Sequence, residues 1–157
     1  MDGREKVDPS FQFEYPAIVM AARKRLMLVD DDKNSREGYQ IYLSTKGFRV
    51  HAFEGGADAL AFAASESPDL VVLDLGLPDV DGWEVARRLR GDENTRDIPI
   101  IAFSGRSMHH EQVSALRAGC DVHLTKPCPP DRLLDAIQKL LGLESQGTRA
   151  EASTDPY

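Results

Sequence analysis

Short runs of apolar residues recur along the middle of the chain and are separated by longer segments of mixed polarity. Most of these runs are apolar nearly throughout, which is typical of strands covered on both faces of a sheet. One run alternates apolar and polar residues instead. The pattern predicts five β-strands, at Leu26–Val29, Phe48–Phe53, Leu70–Leu73, Ile98–Phe103 and Val122–Leu124.

The segments between and after these runs have helical periodicity. In Arg132–Leu141 the apolar residues Leu133 and Ile137 stand four positions apart and continue on the same face. Prolines at 129 and 130 mark the start of this helix and Gly142 marks its end. The other predicted helices are Ser35–Thr45, Ala57–Ala64, Trp83–Leu89 and Glu111–Ala118.

Strand and helix therefore alternate five times, which predicts an α/β domain with a parallel sheet and helices on both of its faces. The domain is expected to span residues 24–142. Residues 1–23 and 143–157 lack this periodicity and are predicted to be flexible extensions. A role of the first extension as a docking arm stays open.

The composition excludes several classes of protein. The chain has 157 residues and a formal net charge of −7, which argues against general nucleic-acid binding because that needs a basic face. Its two cysteines have neither zinc-site spacing nor the number expected of a disulfide framework. No segment has the length and apolarity of a membrane span or a signal-peptide core, so we expect a cytoplasmic protein without membrane contact.

Reactive side chains stand where four of the predicted strands end. Three aspartates, Asp30–Asp32, follow the first strand, and Asp74 follows the third. Ser104 follows the fourth strand and Lys126 comes shortly after the fifth. Taken singly, each of these residues is also common in a turn, as a helix cap or at the protein surface. Because parallel α/β sheets gather their chemistry at the carboxyl ends of the strands, we expect these side chains to lie together.

Such a group of side chains favours phosphoryl chemistry. Neighbouring carboxylates resist ionisation unless a cation accompanies them, and Mg²⁺ prefers one or two carboxylates together with waters and a phosphate. One aspartate can then act as the nucleophile that forms an aspartyl-phosphate. An ammonium and a hydroxyl, here those of Lys126 and Ser104, neutralise charge on the phosphoryl oxygens.

These residues resemble the response-regulator receiver domain, the CheY-like phospho-accepting module of two-component signalling. The resemblance spans roughly residues 24–142 and implies a flavodoxin-like, doubly wound (βα)5 fold with strand order 2-1-3-4-5. It also implies a signalling switch rather than an enzyme acting on other substrates. The matching motifs are Val29-Asp30-Asp31, Asp74 with Leu77-Pro78 and Asp81-Gly82, Ser104-Gly105, and Lys126-Pro127.

The resemblance implies that Asp74 accepts the phosphoryl group and that Mg²⁺ is the cofactor. Asp31 is expected to bind the metal directly, Asp30 through water, and Gly76 through its backbone carbonyl. Asp74 is also expected to be a metal ligand. The role of Asp32 stays open, and one possibility is that it only begins the next helix.

Three further positions carry expected roles. Ser104 and Lys126 are expected to contact phosphoryl oxygens, and the bond from Lys126 to Pro127 is expected to be cis. His123 stands where the family usually has Tyr or Phe as a rotating switch residue. It is therefore either a packed strand histidine or a switch that turns inward with Ser104.

The implied function is a phosphorelay response regulator that takes its phosphoryl group from a phosphohistidine of a histidine kinase or a histidine phosphotransfer protein. The face formed by the fourth helix, fifth strand and fifth helix is expected to bind the downstream protein partner or to dimerise on phosphorylation. Only 15 residues follow Gly142, so no DNA-binding output is expected. The alternatives are a receiver fragment of a hybrid histidine kinase and, less favoured, an aspartyl-phosphate phosphohydrolase.

Overall fold

The five predicted strands form one parallel sheet in the order β2-β1-β3-β4-β5. The computed structural model describes residues 23–105 and 114–143. Both the predicted α/β class and the predicted strand order are confirmed. The strands are β1 Arg25–Val29, β2 Arg49–Phe53, β3 Leu70–Asp74, β4 Ile100–Ser104 and β5 Val122–Thr125.

Helices follow each strand in the described ranges. Helix α4 is described over residues 114–117, and the predicted positions 111–113 lie outside the described residues. The helices with complete bounds are α1 Lys33–Thr45, α2 Gly56–Glu66, α3 Gly82–Gly91 and α5 Pro130–Leu141.

Most element ends differ from their predicted positions by one or two residues, and the differences have local causes. Helix α1 begins two residues before Ser35 because Asp32 is its N-cap and accepts a hydrogen bond from the Ser35 N–H. Strand β4 begins at Ile100 rather than Ile98, since Pro99 has no N–H to donate to a neighbouring strand. Helix α5 begins with Pro130 and ends at Gly142, which has a φ of 66°.

The sheet is buried on both faces. One face packs against α2, α3 and Ala115, and the other packs against α1 and α5. Successive residues of β1, β3 and β4 alternate between these two cores, which is why their sequences are apolar throughout. The edge strand β2 is only half-buried, which accounts for its alternating pattern. Residues at the centre of the two cores include Met27, Leu73, Val85, Leu89, Leu28, Phe103, Leu133 and Ile137.

The two predicted extensions fall outside the described residues, apart from residues 23 and 143 at their inner ends. In the part of the chain that the structure describes, no helix has the length and apolarity needed to cross a bilayer.

Candidate functional site

The sheet brings the predicted reactive residues together at the carboxyl edge of its central strands. Asp30 follows β1, Asp74 ends β3, Ser104 ends β4 and Lys126 follows β5. The Lys126 Nζ lies 2.7 Å from Oδ2 of Asp30 and 3.2 Å from Oδ2 of Asp74. One ammonium therefore bridges two carboxylates that are 44 residues apart in the sequence but lie at the ends of the paired strands β1 and β3.

Asp30 is the most buried of these charged residues, with 1% of its surface exposed. Its Oδ1 accepts a hydrogen bond from the Asp32 N–H, and its Oδ2 accepts one from the Ser35 hydroxyl as well as that from Lys126. Burial alone would raise the pKa of Asp30, but the bonds from Lys126 and Ser35 outweigh burial and hold this pKa below its ordinary value.

Asp74 lies closer to solvent, with 13% of its side chain exposed. Its Oδ1 accepts a hydrogen bond from the Gly76 N–H at 2.8 Å. Burial raises the pKa of Asp74, and the Gly76 N–H and the Lys126 charge offset this effect only in part. The pKa of Lys126 is raised because its contacts with Asp30 and Asp74 outweigh the opposing effect of burial. Of the two carboxylates that contact Lys126, that of Asp74 is the more accessible to solvent.

The acidic residues also form a candidate metal centre. Asp30, Asp31 and Asp74 each offer a carboxylate oxygen, and these oxygens lie within 4.8 Å of one another. Asp31 is exposed and gives the cluster access to solvent. A set of carboxylate oxygens suits a hard divalent cation such as Mg²⁺, so the residues present fit the metal that the sequence predicts. Gly76, the fourth expected ligand, follows Asp74 by two residues and is also exposed.

The loop between β3 and α3 is anchored at two positions that follow Gly76. At one anchor, the Asp79 carboxylate accepts hydrogen bonds from the N–H groups of Gly56 and Ala57, at 2.9 and 3.1 Å, and so caps α2. At the other, Gly82 lies so near the backbone that a Cβ there would sit 2.4 Å from the Asp74 carbonyl oxygen. Only glycine fits at position 82 without displacing the end of β3.

Ser104 and His123 lie on the neighbouring strands β4 and β5 and are hydrogen-bonded, with 2.8 Å between Oγ and Nε2. Ser104 is buried and His123 is half-buried. The peptide bond from Lys126 to Pro127 is cis, as predicted. The residue predicted as a switch is thus in direct contact with the residue predicted to bind the phosphoryl group.

Sequence reasoning missed three residues that shape the site. Ser35 bonds to Asp30, Asp79 caps α2, and the buried Tyr39 donates its hydroxyl to the Cys128 carbonyl at 2.7 Å. Ser35 stands three residues after the N-cap Asp32, a spacing that marks a helix start, but nothing in that spacing shows where its hydroxyl points. Asp32 itself, whose role the sequence left open, is this N-cap.

The comparisons with known proteins identify the family of this domain. The family model of the response regulator receiver domain matches residues 26–138. The chain belongs to this family, and it is a receiver domain of two-component signalling.

Individual relatives give the same result. The response regulator MprA of Mycobacterium tuberculosis is 40% identical over 117 residues, which make up 74% of this chain and 50% of the relative. The chain thus spans about half the length of the curated relatives it matches.

Two solved structures illustrate the likeness of fold. The chemotaxis protein CheY4 of Vibrio cholerae has a TM-score of 0.73 and 25% identity, and the match covers 76% of this chain and 100% of CheY4. The receiver domain of a sensor histidine kinase from Pseudomonas aeruginosa has a TM-score of 0.72 and 29% identity, with 77% of this chain and 99% of that one covered. That receiver was solved with a magnesium ion coordinated in its active-site cleft.

Proposed function

We propose that Asp74 accepts a phosphoryl group from a phosphohistidine of a histidine kinase or of a histidine phosphotransfer protein. The observation that supports this most directly is the position of its carboxylate. Asp74 is partly exposed, lies 3.2 Å from the Lys126 ammonium, and shares the carboxylate cluster with Asp30 and Asp31. An aspartate that attacks a phosphorus atom needs access for the donor and a positive charge beside the phosphoryl oxygens.

In the proposed reaction an Asp74 carboxylate oxygen attacks the phosphorus atom in line with the leaving group. The new P–O bond forms as the P–N bond of the phosphohistidine breaks, and the departing imidazole nitrogen keeps the bonding electron pair. Lys126 stabilises charge on one phosphoryl oxygen, and the Ser104 hydroxyl donates to another. Bound Mg²⁺, held by Asp31, Asp74, the Gly76 carbonyl and, through water, Asp30, would supply further neutralisation of that charge.

The proposed output runs through Ser104 and His123. These side chains are already hydrogen-bonded, so a Ser104 hydroxyl that is drawn to the phosphoryl group changes the surroundings of His123. His123 lies in β5, between α4 and α5 in the chain. We propose that the α4-β5-α5 face switches in this way and then binds a downstream protein or a second copy of the chain.

The phosphohydrolase alternative would need Asp30, the first aspartate of Asp30-x-Asp32, to be the nucleophile. The side chain of Asp30 is 1% exposed, against 13% for Asp74, and its Oδ2 accepts hydrogen bonds from both Ser35 and Lys126. This arrangement disfavours attack by Asp30 and favours Asp74. The two cysteines, Cys120 and Cys128, are free and buried, which fits our proposal that the reaction takes place in the cytoplasm.

The test is phosphorylation by acetyl phosphate, read as a shifted band on a Phos-tag gel. We expect the band of the wild-type chain to shift after reaction in the presence of Mg²⁺. We expect no shifted band when EDTA is present during the reaction. Asp74→Asn should not shift, whereas Asp135→Asn, a change at an exposed residue of α5, should behave as wild type. An equal shift in wild type and Asp74→Asn would refute the assignment of Asp74.

A further inference from the structure

The Ser35 hydroxyl and the Lys126 ammonium donate to the same oxygen atom. Each lies 2.7 Å from Oδ2 of Asp30. Among the described residues these are the two side-chain donors to that oxygen, while the Asp32 N–H serves Oδ1. A neutral donor and a charged donor therefore share one buried carboxylate oxygen.

The shared oxygen is important because Lys126 contacts Asp30 and, in the proposed function, also a phosphoryl oxygen on Asp74. In the structure its Nζ lies closer to Asp30, at 2.7 Å, than to Asp74, at 3.2 Å. An ammonium that turns towards a phosphoryl oxygen carried by Asp74 lengthens its bond to Asp30. A buried carboxylate oxygen that loses a donor is disfavoured unless another group replaces the lost bond.

Ser35 lies where its hydroxyl can replace the bond that Asp30 loses. Its backbone N–H is fixed by the Asp32 side chain at 2.7 Å, in the N-cap of α1. The start of the helix therefore fixes the backbone of Ser35 independently of Lys126. Beside it, a cavity of about 480 Å³ is lined by both Ser35 and Lys126 and has room for water.

We propose that Ser35 is a positioning residue for the phosphoryl-transfer site. Its hydroxyl keeps Asp30 Oδ2 hydrogen-bonded when Lys126 turns towards the phosphoryl oxygens on Asp74, which makes the release of the ammonium easier. This inference rests on the proposed function, and it assigns a role to a residue that neither the sequence analysis nor that proposal used.

The experiment compares beryllofluoride, which imitates the phosphoryl group on an aspartate, with Mg²⁺ alone. Beryllofluoride binding at saturating Mg²⁺ is followed by ¹⁹F NMR, and Mg²⁺ binding by titration calorimetry. We expect Ser35→Ala to weaken beryllofluoride binding about tenfold, the loss of one hydrogen bond to a charged group. Mg²⁺ binding should change by less than about threefold, because Lys126 stays on Asp30 in that state.

Two further variants separate this role from a general loss of structure. Ser35→Thr keeps the hydroxyl and should restore most of the beryllofluoride affinity. Ser65→Ala removes a hydroxyl that bonds only to carbonyls within α2, and should match wild type in both assays.

The results that would overturn the inference are distinct from those that would overturn the proposed function. If wild type binds beryllofluoride and Ser35→Ala binds it equally well, Ser35 has no positioning role, and water from the cavity can donate the hydrogen bond to Asp30 instead. The same conclusion follows if Ser35→Thr is as weak as Ser35→Ala, or if Mg²⁺ and beryllofluoride binding fall equally. If wild type itself binds no beryllofluoride, the proposed function fails and the inference fails with it.

Discussion

The Ser104 hydroxyl oxygen lies 2.8 Å from Nε2 of His123, so a buried strand-end hydroxyl and a neighbouring imidazole form one hydrogen-bonded pair. The pair joins β4 to β5 through side chains as well as through the backbone ladder. A serine hydroxyl has a single proton to donate. If the hydroxyl donates to a phosphoryl oxygen, its oxygen can only accept from His123, so Nε2 has to carry a proton or the pair separates.

This pair leads to a spectroscopic prediction. Adding beryllofluoride and Mg²⁺ should change the NMR shifts of the His123 ring, because its contact with Ser104 is rearranged. The His51 ring on the edge strand β2 serves as an internal control and should keep its shifts. In Ser104→Ala the response of His123 should be much smaller. Unchanged His123 shifts in fully bound wild type would show that this histidine is only a packed strand residue.

The second prediction concerns stability without metal. Lys126→Met should lower the free energy of unfolding by roughly 3 kcal/mol at pH 7, because it leaves Asp30 buried and facing Asp74 without a cation. Urea unfolding without Mg²⁺ measures this change.

The same variant can be tested again with Mg²⁺ present. The metal should recover more stability in Lys126→Met than in wild type, since a cation then compensates carboxylates that have lost their ammonium. Lys139→Met is the matched control, because Lys139 pairs with Asp135 on the exposed face of α5 and should change stability by less than about 1 kcal/mol. Equal losses in the two variants would mean that the Lys126 contacts contribute no more than a surface pair.

The sequence allowed the fold and the centre of the site to be predicted because both follow from a local pattern and one topological rule. Asp30 and Lys126 are 96 residues apart, yet the sequence predicts that they lie close together, since each stands where a strand ends. Ser35 and Asp79 could not be found in this way. Whether the Ser35 hydroxyl points at Asp30 depends on the rotation of α1, and the bond from Asp79 to Gly56 depends on how a loop folds over a neighbouring helix.

The third prediction compares two glycines. Gly82→Ala should destabilise the chain by about 1–3 kcal/mol, because its Cβ would overlap the Asp74 carbonyl oxygen and the Leu75 Cα, which are backbone atoms and cannot rotate away. Phosphorylation of Asp74 should slow as well, since the end of β3 has to shift. Gly38→Ala, in the interior of α1 with no atom within 4 Å of the added Cβ, should instead stabilise by about 0.5–1 kcal/mol. Urea unfolding of both variants decides the matter, and a neutral Gly82→Ala would contradict the packing described around β3.

The last prediction concerns Asp79, whose carboxylate caps α2 from the loop that follows β3. The N–H groups of Gly56 and Ala57 lower the pKa of Asp79 from its ordinary value of 3.8 to about 2. A carboxyl group with a lowered pKa stabilises the folded state fully above its unfolded pKa and loses that contribution as the pH falls towards the folded pKa. The stability difference between wild type and Asp79→Ala should therefore be constant above about pH 5 and shrink as the pH falls from about 4 towards 2.

Urea unfolding of both proteins at pH 7, 5, 4 and 3 measures this difference, with the change from pH 5 to pH 3 as the decisive comparison. Asp79→Asn keeps an acceptor oxygen but cannot ionise, so it should be intermediate in stability at pH 7 and approach wild type as the pH falls. The bond lies at the surface, so added salt should reduce the effect. A difference between wild type and Asp79→Ala that stayed constant down to pH 3 would mean that the ionised carboxylate does not cap α2, and that the loop carrying Gly76 is held by other contacts.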